Sequence, residues 1–375
     1  MGHMKILRTY LLKEFSLPFV FSLIVLIFVM LLGNLFQLIE LIITKGVNFF
    51  SVAKLFLFLV PYLLTYTIPI AILAAALLSL GRLSSDNEIL AIRASGINIF
   101  ILIVPLLILG LLLSLFLVIL NDRIIPLAHY ASRRTLIEIG IKNPTAAIEP
   151  GTFIDSFQNY VLFVYSIERN KQTGERNILN NVRIYEPQGK DKPTRTIVAK
   201  KGEFVSIPEK KVVKLKLSDG TSDEPDPNKP GEFFKLNFKT YFLTLSLDKA
   251  EGTGQIEKKP KDMTIKELKE QITEYSSEGI DTLPLITHLH QKIALAFSAL
   301  VFILVASPMA VITHRREKAL NFGLAILIIL VYYLLLIGFE SLSLQGYFPP
   351  VVSIWMPNII FGLIGSCLIF RLCVS

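Results

Sequence analysis

The chain reads as long apolar blocks separated by short polar loops, with one long polar interval in the middle. Six blocks are each long enough to cross a bilayer, which takes about 20 residues as a helix. They run from Phe15 to Ile43, Val52 to Leu80, Ile97 to Ile125, Ile293 to Ile312, Ala319 to Phe339 and Val351 to Leu372. Pro18, Pro61, Pro69, Pro105 and Pro308 fall within or at the edge of these blocks. Membrane helices tolerate such prolines because neighbouring groups re-satisfy the freed carbonyls, so kinks are expected. Met1-Gly2-His3 ahead of Met4 reads as a cloning remnant, and the first block is too long for a cleaved signal peptide.

Between the third and fourth blocks, from about Ala131 to Pro260, the period changes. Tyr160 to Ile167, Val182 to Tyr185 and Thr196 to Ala199 are β-branched and aromatic runs. Val213 to Leu217 and Phe234 to Phe238 alternate apolar and polar residues, as a strand with one buried face does. Leu243, Leu245 and Leu247 resume the alternation on a shifted phase, which predicts a bulge or bend near Thr240. Asp219-Gly220 and Pro225-Asp226-Pro227-Asn228 read as turns. Many short strands of this kind predict a sandwich or jelly roll, with Phe153, Phe163, Val213, Leu215 and Phe238 as candidates for its interior. Thr264 to Glu278 then reads as a polar helix, with Thr264 and Glu267 as a capping box and Gly279 as its stop. The predicted fold is a six-helix membrane protein, split three and three by an inserted β-domain. Its parts are residues 1–130, with a short helix at 84–95, then 131–260 and 261–375.

Charge sets the orientation. Lys5, Arg8 and Lys13 precede the first block, Arg82 and Arg93 follow the second, Arg315, Arg316 and Lys318 follow the fourth, and Arg371 closes the sixth. The opposite side carries only Lys45 and Lys54 in its first loop and no basic residue between Phe339 and Val351. The positive-inside rule therefore predicts cytoplasmic termini and a β-domain outside, in the periplasm of a two-membrane cell. Composition agrees: 52% of residues are hydrophobic, 18% are charged and mean hydropathy is +0.56. The net charge of +8 is spread over span ends and the middle domain. That argues against a nucleic-acid stripe and fits either ordinary topology or an anionic lipid partner.

The chemistry of enzymes is missing. There is no phosphate-binding Gly-rich loop ending in Lys-Ser/Thr, so ATP is not expected to bind by that route. Cys367 and Cys373, at the end of the last block, are the two cysteines, so the β-domain has no disulfide framework. His288 and His290 lie two apart, on different faces of a helix, and no metal site or catalytic set is expected.

Two short stretches carry candidate function. In Gly81 to Gly96, Ser84 or Ser85 is placed to cap a short helix, Asp86 and Glu88 suit its first turn, Ile89, Ile92 and Arg93 recur at helical spacing, and Gly96 ends it. Such a helix on the inner face either exchanges work with a cytoplasmic ATPase, Glu88 pairing with a partner arginine, or is a solvated loop helix. On the first span, Asn34, Gln37 and Glu40 share one face, with Thr44 and Lys45 beyond. Polar groups inside a span face a cavity or another helix, here a headgroup vestibule or interhelical hydrogen bonds. Lys45, Arg133 and Arg134 put positive charge at the outer leaflet, as phosphate partners or as snorkelling anchors.

The Gly81 to Gly96 stretch resembles the loop between the second and third helices of the LptF/LptG permeases, membrane subunits of the lipopolysaccharide exporter. The resemblance extends through Tyr10 to Glu14, Asn121-Asp122 with Pro126 and Ala128, Asn143-Pro144 through Pro150-Gly151-Thr152-Phe153, His290 to Ala294, Ser307-Pro308 and Trp355-Met356-Pro357-Asn358. It implies a periplasmic β-jelly-roll and a paired LptF- or LptG-type chain. It also implies an LptB-type ATPase dimer that holds the ATP, no cofactor in this chain, and transfer of lipopolysaccharide to LptC-type and LptA-type proteins. It makes the 84–95 helix, with Glu88, Asp86, Arg93 and Ile89, the ATPase-coupling element. On this reading Asn34, Gln37, Lys45, Arg133, Arg134, Phe163 and Leu215 are candidate substrate contacts. The family can carry basic residues where Asn34 and Gln37 stand, and here both are neutral. The Asn-Pro and Pro-Gly-x-Phe features, with Leu217 to Thr221, favour the LptF type. The rival readings are an ABC-coupled permease for lipoproteins or peptides, and a membrane-anchored enzyme with its site in the outer domain.

Overall fold

A computed structural model describes residues 2–43, 46–142, 151–157, 160–169, 176–186, 194–207, 212–225, 233–245, 258–312 and 318–374. They form two compact units. One comprises Met1–Asn34, Phe58–Tyr130 and Lys259–Ser375, and the other Leu35–Leu57 and Ala131–Lys258.

The helices are α1 (Gly2–Ile43), α2 (Phe49–Ser85), α3 (Glu88–Ala94), α4 (Ile99–Ile119), a π-helical turn (Leu120–Ile124), α5 (Ile125–Lys142), α6 (Ile265–Ser277), α7 (Leu283–Ile312), α8 (Lys318–Leu344) and α9 (Pro350–Val374). Among the described residues, six stretches are long and apolar enough to cross a membrane: Ile6–Ile43, Phe49–Ser85, Ile99–Gly140, Leu283–Ile312, Phe322–Leu344 and Pro350–Cys373. The fold is the expected one, six membrane helices with an antiparallel sheet inserted between the third and the fourth.

Small residues and buried amides hold the first unit together. A Cβ added at Gly365 of α9 would stand 2.7 Å from the carbonyl of Leu304 in α7, and one at Gly110 of α4 would stand 2.7 Å from Ile303. Without a hydrophobic drive between helices in lipid, such close backbone approach supplies the dispersion energy. Asn358 of α9 accepts from the Tyr332 hydroxyl of α8 (2.9 Å) and donates to the Ala294 carbonyl of α7 (2.8 Å), fastening three helices through one amide. Helix α1 is different: only 6% of its most apolar stretch is buried, against 72% for α2 and α7.

The third span does not end at Ile125. Helix continues to Lys142, and the first strand begins at Phe153. Polar residues there are compatible with helix because Arg134 and Glu138 pair at i,i+4 (3.0 Å). Thr135 and Ile139 turn inward on the same stretch. Ile137 packs on the sheet core, and Ile139 joins Val47, Val52 and Leu55.

The strands are β1 (Phe153–Phe157), β2 (Tyr160–Arg169), β3 (Arg176–Glu186), β4 (Arg195–Ile207), β5 (Val212–Pro225) and β6 (Phe233–Leu245). They pair antiparallel in sequential order. Asp219-Gly220 is not a turn: β5 runs through it, paired on both sides with β4 and β6. The second predicted turn, from Asp226 on, lies outside the described residues.

The shifted phase in β6 is a bend without a bulge. Register against β5 is unbroken from Val213↔Leu245 to Pro225↔Phe233, yet Leu243, Tyr241 and Phe238 all pack on the core. The core-facing parity switches in the neighbouring strands at the same level, between Leu179 and Val182 in β3 and between Ala199 and Phe204 in β4. Asn181 and Asp219 mark that level with positive φ, 50° and 54°. These short polar side chains tolerate the left-handed region, so they let the side-chain alternation invert while the ladder continues.

Candidate functional site

At one end of the helical unit, α2 continues through Ser85 and a tight turn leads into α3. The Ser84 hydroxyl donates to the Val311 carbonyl (3.3 Å) and that of Ser85 to Arg82 (2.9 Å), so neither caps α3. Both still belong to the last turn of α2. Asn87, at φ 60°, takes the cap position without a side-chain bond. Gly96 ends the segment at φ +76°, as expected.

The side chains of this segment divide sharply. Ile89 is buried in the helical core and anchors α3 instead of lying open to a partner. Asp86 is exposed and Arg93 half-buried. The Glu88 carboxylate accepts from the Tyr10 hydroxyl at 2.9 and 3.2 Å, while Arg82 pairs with Glu14 at 2.5 Å. Both contacts fasten α1 to the α2–α3 corner. Beside them, Ile6, Leu7, Tyr10, Ala91, Ile92 and Ile97 line an open groove.

On the first span, Asn34 is half-buried and its amide donates to its own Met30 carbonyl (2.9 Å). Gln37 and Glu40 are exposed. Lys45 lies outside the described residues. Arg133 is half-buried, and Arg134 is exposed and engaged with Glu138. The described bonds of Asn34 and Arg134 are each made within their own helix.

In the β-domain, Leu215 is fully buried, in contact with a core that includes Leu162, Val164, Val182, Ile184, Ile197 and Leu217. Phe163 is not in that interior. It alternates with Leu162 and Val164 on β2, and its ring lies tilted against that of the exposed Phe153, 5.0 Å between centroids. Strand parity thus corrects the expectation for Phe153 and Phe163. The Val213 side chain is not among those described.

The most connected polar cluster was not singled out as a site in the sequence. It lies where the π-helical turn meets the start of α6 and α7. The turn redirects Asn121 and Asp122, and π-bulges recur at functional positions. Asn121, buried, accepts from the Thr65 hydroxyl of α2 (2.8 Å) and donates to the Lys292 carbonyl of α7 (2.9 Å). Asp122 accepts from the Ile265 N–H (2.7 Å), the first residue of α6. The predicted capping box is present: Glu267 N–H donates to the Thr264 hydroxyl (3.3 Å) and Thr264 N–H to the Glu267 carboxylate (2.8 Å). The Lys292 ammonium is buried, donates to the Met263 carbonyl and is faced by Asp122, Glu267 and Asp262. Asp262, 2% exposed, sits 2.5 Å from His129 Nδ1 and accepts from the Lys259 N–H (3.0 Å). No cluster of potential metal ligands occurs among the described residues. The mark this cluster leaves in the sequence is a charged residue bordering an apolar span, Lys292.

A family model described as lipopolysaccharide export system permease LptF/LptG matches residues 9–371. An uncharacterized protein of Rickettsia prowazekii is 25% identical over 201 residues, 54% of this chain; the match spans about half of that protein, 53%. The lipopolysaccharide export system permease protein LptF of Escherichia coli K12 is 22% identical over 303 residues, 80% of this chain and 77% of its own. That of Shigella flexneri matches to the same extent.

Proposed function

This chain belongs to the lipopolysaccharide export system permease LptF/LptG family, and from that premise we propose that it is an LptF-type subunit of an ATP-driven exporter. It is a multi-pass inner-membrane permease with a role in lipopolysaccharide transport, and its family is one of transporters, not enzymes. The proposal adds direction and partners. Both termini face the cytoplasm and the β-domain faces the periplasm. ATP is bound and hydrolysed by an LptB-type dimer, and this chain carries no cofactor. Lipopolysaccharide is drawn from the bilayer and handed, by way of the β-domain interior around Leu215, toward LptC-type and LptA-type proteins.

The observation that carries this reading is the full-length family match on a chain whose first span is left uncovered. A helix with 6% of its apolar stretch buried is complete only against lipid, substrate or a second permease subunit. Edge strand β6, 13 residues long, supports docking of another β-domain by strand addition. The likeness to E. coli LptF supports the LptF type.

For the ATPase contact, Glu88 with Asp86 and Arg93 is the proposed surface. A carboxylate has about four acceptor sites, so Glu88 can keep Tyr10 and still take a partner arginine. Lys45, Arg133 and Arg134 are proposed as headgroup contacts, and Asn34 and Gln37 as neutral substrate contacts on the first span. The test is what co-purifies from membranes. A second six-span chain and an ATPase are expected; recovery of this chain with neither would overturn the proposal.

A further inference from the structure

Two adjoining cavities, of about 220 Å³ and 460 Å³, flank the polar cluster at the start of α7. Both are walled by His129, Lys261, His288, Gln291 and Glu340, which makes them two lobes of one trough. The hydroxyls of Tyr62 and Tyr66, 3.5 Å apart, line the smaller lobe.

Lys261 and Glu340 bring opposite charges to this trough. Lys261 and Glu340 interact electrostatically, yet no ion pair joins them among the described residues, and no described hydrogen bond ends on the Lys261 ammonium. Each is held from its own side. Glu340 receives the Gln291 amide on Oε2 (2.9 Å), leaving Oε1 open. Lys261 rides on the short turn Pro260–Asp262, pinned through Asp262 to His129 and to the Lys259 N–H. His288 Nε2 is buried without a partner. Opposite charges near a low-dielectric region attract strongly, so a fold that keeps them apart across a cavity is arranged for a ligand carrying both signs.

We propose that the trough binds a phosphoethanolamine headgroup, its phosphate against Lys261 and His288 and its ammonium against Glu340. Lysine and imidazole suit a phosphate, and a carboxylate suits a primary ammonium, which keeps N–H donors that a quaternary amine lacks. The place fits a lipid: Gln291 and Glu340 stand on membrane-length helices near the ends that Leu283 and Leu344 mark. The site is distinct from the first-span face and does not depend on the transport reading. The same headgroup is offered by a glycerophospholipid of the bilayer or by a phosphoethanolamine group on a lipopolysaccharide.

The test is native mass spectrometry of the full-length chain, with whatever subunits accompany it, extracted from vesicles of phosphatidylethanolamine, phosphatidylcholine or phosphatidylglycerol. Parallel samples contain lipopolysaccharide with or without phosphoethanolamine. Retention of the phosphoethanolamine lipid is expected to exceed the others about tenfold, and Lys261→Gln to lower retention of every phospholipid. Glu340→Gln is expected to erase the preference over phosphatidylglycerol, while Lys266→Gln, on an exposed lysine outside the trough, changes nothing. Dependence seen with phosphatidylethanolamine assigns the phospholipid as source, dependence seen only with the modified lipopolysaccharide assigns the glycolipid, and either supports the site. Equal retention of all headgroups overturns it, as does unchanged retention in both variants with Trp355 fluorescence native.

Discussion

Asn121 is the sharpest place to probe how the spans are held. One side-chain amide, at the π-helical turn, takes a hydrogen bond from Thr65 at 2.8 Å and gives one to the Lys292 carbonyl at 2.9 Å, so it bridges the second, third and fourth spans. It is 4% exposed, so both bonds lie inside the bundle. Interhelical hydrogen bonds in membranes average about 0.6 kcal/mol and reach about 1.7. Asn121→Leu removes two, and a loss of about 1–3 kcal/mol is expected. Thr65→Val removes one of the same two, so the double variant should fall short of additivity by about 0.6–1.7 kcal/mol. The assay is unfolding in mixed micelles with rising SDS, followed by fluorescence. Trp355 is the one tryptophan, packed 5.7 Å from Phe297 across α9 and α7, and reports on the bundle without labelling. Effects that add within about 0.3–0.5 kcal/mol would refute the shared bond.

Three further outcomes are expected. Gly365→Ala drives a methyl against the Leu304 backbone and should cost about 1–3 kcal/mol in the same titration, whereas Gly362→Ala, which meets nothing within 4 Å, should not. Thr264→Ala removes the α6 cap at about 1 kcal/mol and should speed amide hydrogen exchange at the start of α6. At Asp219 the left-handed backbone makes glycine acceptable, while Asp219→Val should lower the stability of the β-domain by about 1–2 kcal/mol, measured by its thermal unfolding.

What was legible in the sequence follows the range of the forces involved. Membrane-length helices and the capped α6 are written locally, in apolar runs and in the Thr264–Glu267 spacing. Strand alternation also read correctly in Lys214 to Leu217. The misreadings came where a local signal had two structural outcomes. Asp219-Gly220 looks like a turn, but its left-handed residue serves a strand. Ser84 and Ser85 look like caps, but α2 outlasts them. Ile89 fits an amphipathic face, yet it is the part of α3 that enters the core. The polar cluster escaped because Asn121, Asp262 and Lys292 come from three distant segments, and nothing in the chain marks a π-helical turn.

The β-domain's interior gives the most direct test of the transport account. A photo-crosslinker is placed at Leu215, inside the sheet, and separately at Phe163, on its other face, in membranes containing the assembled exporter. The account predicts that Leu215 captures lipopolysaccharide only when ATP is supplied and that Phe163 does not. Capture at Leu215 independent of ATP, or capture at Phe163 alone, would contradict it.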